Sequence, residues 1–101
     1  MGNRNFKQHK KNGYTVVDNS IMMNKNISLR AKGLLIVMLS LPPDWNFTET
    51  GLVSIGIEGR DAIRSTLQEL EKHKYLKRTR ERGDNGRLKK IFYDIYEEPY
   101  E

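Results

Sequence analysis

The sequence predicts an α+β fold. It is a winged helix-turn-helix of three helices with a small antiparallel β-sheet, built from a wing hairpin plus an N-terminal strand. Three observations carry this expectation. Apolar residues recur at helical spacing in three separate stretches between Ser28 and Lys72. Only Gly56-Ile57-Glu58-Gly59 separates the second stretch from the third, which is the length and turn chemistry of a helix-turn-helix. Beyond Tyr75 the period shortens to two around Gly83-Asp84-Asn85-Gly86, as in a hairpin.

Residues 1–12 are basic and almost free of apolar side chains, so they cannot bury enough surface to offset their ordering entropy. They are expected to form a flexible arm. Tyr14-Thr15-Val16-Val17-Asp18, β-branched and aromatic, predicts a short strand closed by Asn19-Ser20. Ile21 to Ile27 is ambiguous and compatible with one turn of helix. Ser28 stands where an N-cap belongs, ahead of Leu29, Ala31, Leu34, Leu35, Met38 and Leu41, which from Ala31 onward lie on one helical face. Pro42-Pro43 ends that first helix, because neither proline can donate the next backbone hydrogen bond. Thr48 is the next N-cap, and Leu52, Val53 and Ile55 form a short second helix stopped at Gly56. Gly59 caps the third, in which Ile63, Leu67 and Leu70 face the core. At about 100° per residue, Asp61, Arg64, Ser65, Gln68 and Lys72 then fall on the opposite face. Leu76 to Arg82 and Arg87 to Tyr96 are the hairpin strands, the second with Ile91, Tyr93 and Ile95 on one face. The chain therefore divides into an arm (1–12), a winged-helix domain (13–96) and an acidic tail (97–101).

The chain has 101 residues, enough for one core, and its 18 Lys and Arg outnumber 13 Asp and Glu for a formal charge of +5. That total conceals a polarity. Nine basic residues against two acids lie between Lys72 and Lys90, four bases and no acid lie in residues 1–12, and three acids close the chain. Well-solvated surfaces usually mix the two signs, so concentrations of one sign point to a phosphate-bearing partner. The absence of cysteine excludes disulfides, thiolate zinc sites and a cysteine nucleophile, and suits a reducing cytoplasm. His9 and His73 stand far apart in unlike contexts, and no Gly-rich loop ends in Lys-Ser or Lys-Thr, so neither enzyme activity, metal nor cofactor is implied. The longest apolar run, Leu34 to Leu39, is far below the ~18 residues of a membrane span.

The second helix of a helix-turn-helix enters the major groove N-terminus first, which makes Arg60, Arg64, Ser65 and Gln68 the candidates for reading base edges. Arginine can chelate guanine and glutamine adenine. Asp61 is expected to stabilise the helix N-terminus instead. In the wing, Arg78, Arg80, Arg82, Arg87, Lys89 and Lys90 are the candidate phosphate ligands, with 78, 80 and 82 on one face by strand alternation. Lys7, Lys10 and Lys11 of the arm and the backbone amides near Thr48 complete the set. Trp45 is expected to be a core residue. Ile55 to Ile63 is similar to the GXXG loop of KH RNA-binding domains. Its closing isoleucine is one residue late, however, and Glu58 sits inside the loop that must approach phosphates.

Leu29-Arg30-Ala31-Lys32-Gly33-Leu34-Leu35, Ser40 to Thr48 with Asp44-Trp45-Asn46, Gly59 to Ser65 and Leu67 to Glu71 together resemble the N-terminal winged-helix DNA-binding domain of phage replisome organizers. These are the DnaD-like replication initiators of Gram-positive bacteria and their phages and plasmids. The resemblance spans residues 14–96. It implies origin recognition on double-stranded DNA and, through a separate C-terminal domain that this sequence lacks, recruitment of helicase-loading proteins. The chain is accordingly expected to be either a fragment or a short stand-alone relative. Lys74 departs from the pattern, where the family usually has a helix-ending glycine. The same surface could serve a transcriptional repressor, and winged helices of this family also associate with one another, so a protein-interaction or oligomerisation module is the third alternative.

Overall fold

Four helices precede a single hairpin. The computed structural model describes residues 13–101, apart from the side chains of Leu88 and Lys89. In chain order the elements are α1 (Asn19–Met23), α2 (Leu29–Ser40), α3 (Glu49–Ser54), α4 (Arg60–Lys72), β1 (Leu76–Arg82) and β2 (Leu88–Ile95). This is a small α+β fold with a two-stranded antiparallel sheet.

The starts of α1, α2 and α3 are each set by a side-chain hydrogen bond. The Asp18 carboxylate accepts from the Ser20 amide at 2.8 Å to begin α1, a helix the sequence left ambiguous. Its Ile21 is fully buried, and Ile27 in the following turn joins the core. Ser28 Oγ accepts from the Ala31 amide at 3.0 Å, and Thr48 Oγ1 from the Gly51 amide at 2.8 Å. Such caps satisfy backbone donors that the first helical turn leaves without partners. A Cβ on Gly51 would come within 3.1 Å of the Trp45 ring and 3.0 Å of Thr48 Oγ1, so the cap and Trp45 together keep this position small. Helix α4 starts at Gly59 with no side-chain cap.

The core is built from one face of each helix: Ala31, Leu35 and Met38 of α2, Leu52 of α3, and Ile63, Leu67 and Leu70 of α4, with Ile21, Tyr75 and Leu76 closing its ends. Thr66 is buried among them, its hydroxyl donating to the Ala62 carbonyl at 2.6 Å. The Tyr75 hydroxyl accepts from Asn24 Nδ2 at 2.9 Å, so no polar atom is stranded there. Trp45 is half-buried and packs against this core, edge-on to Phe47 at 4.9 Å.

Helix α4 ends in a left-handed residue. Lys74 has φ 70°, the Tyr75 amide donates to the Leu70 carbonyl at 3.0 Å, and the Lys74 amide donates to that of Glu71 at 3.2 Å. This is the Schellman pattern, in which glycine is the usual residue. A left-handed backbone costs an L-residue roughly 1–2 kcal/mol. Lys74→Gly is expected to raise stability by about 1 kcal/mol in denaturant unfolding, and an unchanged or lower midpoint would exclude strain at this position.

Glu69 ties α4 to the start of α2, accepting from the Ser28 amide at 2.7 Å and from its hydroxyl at 2.8 Å. The Ser28 backbone hydrogen bond is the main cause that holds this carboxyl below its ordinary range. The folded-state value lies below the unfolded one, so the stabilisation is present above the ordinary glutamate range and is lost as pH falls through the depressed value. Glu69→Gln should therefore unfold earlier than the natural chain at pH 7, with the gap in midpoint closing below about pH 4.

In the hairpin, Leu76 pairs with Ile95, Arg78 with Tyr93 and Arg80 with Ile91, and a register shift follows Glu81. The expected N-terminal strand does not form. Residues 13–18 lie in no strand and the sheet has two strands rather than three. Tyr14 and Val16 are 78% and 81% exposed, and strand propensity needs a pleated neighbour to pack on. Their segment is instead tied at its end, where the Asp18 amide donates to Glu97 Oε1 at 3.0 Å. The acidic tail folds back likewise, with the Tyr100 amide on the Lys74 carbonyl at 2.9 Å and Lys74 Nζ 5.2 Å from the Tyr100 ring centre.

Candidate nucleic-acid interface

The burial of Ile63, Thr66, Leu67 and Leu70 turns Arg60, Arg64, Ser65 and Gln68 of α4 outward, and all four are exposed. Opposite the N-terminal half of α4 stands the inner face of the hairpin. Between them, floored by the start of α3, lies an open groove of about 690 Å³ that receives Thr48, Arg60, Arg64, Arg80 and Lys90. Two elements that are about twenty residues apart in the chain thus present cations to one space.

Within the groove the cations differ in their partners. Among the described residues Arg60 donates, through Nη2, only to Thr50 Oγ1, at 3.3 Å. Arg80 makes no hydrogen bond or ion pair among the described residues, and Lys90 Nζ lies 4.8 Å from the Phe92 ring centre. Arg64 donates through Nε and Nη2 to Glu49 Oε1, at 3.3 and 3.2 Å. Burial acts to raise the Glu49 carboxyl, but the hydrogen bonds and charges of Arg64 and Arg78 outweigh it and hold the group below the usual carboxylate range.

Arg78 departs from the expected set of wing phosphate ligands. Its side chain is 8% exposed, its Nε and Nη2 donate to the two Glu71 oxygens at 2.9 and 2.8 Å, and its Nη1 reaches Glu49 Oε2 at 3.4 Å. The guanidinium also lies 5.7 Å from the Tyr93 ring centre, and Tyr93 stacks on Phe47 at 5.6 Å. Hydrogen bonding to Glu71 raises the Arg78 guanidinium above its ordinary value, against the effect of desolvation. Its donors are already engaged, so Arg78 clamps the hairpin to α3 and α4 and offers little to a phosphate.

Of the remaining candidates, Ser65, Gln68, Arg82 and Arg87 are not among the residues that line the groove. Ser65 and Gln68 lie on the outward face of α4. The Ser65 hydroxyl donates to the Ala62 carbonyl at 3.1 Å, and Gln68 has no hydrogen-bond partner among the described residues. Arg82, at the end of β1 beside the register shift, donates through Nη1 to the Gly86 carbonyl at 3.4 Å. Arg87 is exposed at the hairpin turn. Lys89 lies on β2. Thr48 uses its hydroxyl as the α3 cap, while Lys7, Lys10 and Lys11 fall outside the described residues.

Glu49 is the residue that sequence reasoning missed. It stands 15 and 29 positions from its two arginines, and nothing in local spacing marks it out. Among the described residues no cluster of three or more His, Asp or Glu could hold a metal ion, and no helix is long and apolar enough to cross a membrane. Comparison with protein-family models, with curated proteins and with solved structures found no match.

Proposed function

We propose that the chain is a winged-helix domain that binds double-stranded DNA, with α3 and α4 as the helix-turn-helix, α4 in the major groove and the β1–β2 hairpin as the wing. The observation that supports this reading is the convergence of Arg60, Arg64, Arg80 and Lys90 on one groove. Cations gathered beside an exposed helix N-terminus repel one another unless an anion neutralises them, and a duplex backbone supplies such anions.

Within that class, we read the chain as an origin-recognition domain of phage or plasmid-type replication initiation. The support is the Ala31-Lys32-Gly33-Leu34-Leu35 and Asp44-Trp45-Asn46 elements, the latter leading into the Trp45–Phe47–Tyr93 packing that seats the wing. The partners that go with this role are the chain itself and helicase-loading proteins.

The test is selection of duplexes from a random pool, with gel-shift confirmation and footprinting of the natural site. With about six phosphates neutralised, the logarithm of affinity should fall against that of salt with a slope near −5. A flat salt response would exclude phosphate binding. Footprints on promoter operators rather than origin repeats would move the role to transcriptional repression.

A further inference from the structure

An acid in the middle of a cationic groove weakens phosphate binding, so Glu49 calls for a physical reason. Its two oxygens are divided. Oε2 faces Arg78 at 3.4 Å, while Oε1 takes both Nε and Nη2 of Arg64 at 3.3 and 3.2 Å. Arg78 is itself fixed by two bonds to Glu71 at 2.9 and 2.8 Å. An ionic relay therefore links Glu71 to Arg78 to Glu49 to Arg64, in which Arg78 is 8% and Arg64 48% exposed.

The relay has a directional consequence. Bonding one carboxylate oxygen through Nε and Nη2 occupies one edge of the Arg64 guanidinium and leaves the terminal fork, Nη1 with the outer N–H of Nη2. That fork matches the paired acceptors O6 and N7 that guanine presents in the major groove. Holding it in place beforehand reduces the ordering entropy lost on binding. The Glu49 charge also lowers the attraction of Arg64 for phosphate. Arg60 and Arg80, which no described carboxylate contacts, keep theirs.

We infer that Glu49 is a positioning residue that makes Arg64 a guanine reader, and that the groove divides its work between this carboxylate-held arginine and phosphate-binding Arg60 and Arg80. The inference rests on the DNA-binding reading above and adds to it the base that is read and the residue that enforces the choice.

The experiment uses the full chain and its Glu49→Gln variant. Duplexes selected by the natural chain are compared with versions in which single guanines are replaced by 7-deazaguanine, and with an unrelated duplex. At one guanine the natural chain should lose about 10-fold or more in affinity on removal of N7, and Glu49→Gln should lose less than about 3-fold. The variant should bind the unrelated duplex as tightly as the natural chain or more tightly, because an acid has left the groove. Misfolding would weaken both duplexes together and cannot produce these opposite signs. A common weakening, with a lowered melting midpoint, would make Glu49 a structural clamp only and overturn the proposal. Selected duplexes without a guanine requirement, or a Glu49→Gln variant that keeps it, would overturn the proposal and leave DNA binding standing. Failure to select any duplex would overturn both.

Discussion

Arg78→Ala lowers the thermal unfolding midpoint by about 10 °C, while Arg80→Ala, two residues along the same strand face, shifts it by no more than about 2 °C. The two arginines are alike in composition and register but not in surroundings. Truncating Arg78 removes two short bonds to Glu71 and one to Glu49, and leaves Glu71 without its cation and Glu49 with Arg64 alone. Removal of one member of a fully buried ion pair costs about 3–5 kcal/mol. Glu71 and Glu49 remain 33% and 25% exposed, so water recovers part of that loss and about 2 kcal/mol is expected. For a domain of this size each kcal/mol is worth about 4–8 °C. Tyr93 also loses the cation over its ring, and the hairpin should loosen before the helices do. Calorimetry of the two variants side by side is the measurement. Equal, small shifts would show that the wing is held by Leu76, Tyr93 and Ile95 without the clamp.

Reversing the charge of Arg60, Arg80 and Lys90 together, each to Glu, should raise the Kd for duplex DNA at least about 100-fold near 0.1 M salt. The midpoint of unfolding should move by only a few degrees, because all three side chains are exposed and their substitution opens no cavity. Reversing Lys72 and Lys77, equal in sign but away from the groove, should weaken binding much less. Fluorescence anisotropy with a labelled duplex, read beside circular dichroism melts, separates the two effects. Similar losses from both sets would reduce the interaction to net charge and remove the groove from the account.

Much of the fold was legible because its determinants are local. The hydroxyls of Ser28 and Thr48 reach amides three residues on, and Ile63, Leu67 and Leu70 repeat at the pitch of the helix that buries them. Pro42 stops α2 by what its own ring forbids. The left-handed backbone at Lys74 was not legible, because no glycine marks that position. What failed were expectations that depended on a distant neighbour. Tyr14 to Val17 have the composition of a strand, but no sheet edge receives them. Residues 19–23 lack a clear period and were left open to a turn of helix, which forms because Asp18 caps it and Ile21 anchors it in the core.

The candidate site divides along the same line. Spacing alone turns Arg60, Arg64, Ser65 and Gln68 outward, and composition alone makes the hairpin basic, so the sequence by itself determined which surface carries the charge. Only the tertiary structure decided what each charge does. Arg78, Arg80 and Arg82 are one pattern in the chain. The first is closed over by Glu71 and Glu49, the second is left open to the groove, and the third donates to the hairpin's own Gly86 carbonyl. Caps and helical stripes arise within a few residues, where geometry is nearly fixed by the backbone. Ion pairs depend on where remote segments meet, and the packing of α3 and α4 against the hairpin sets that meeting point.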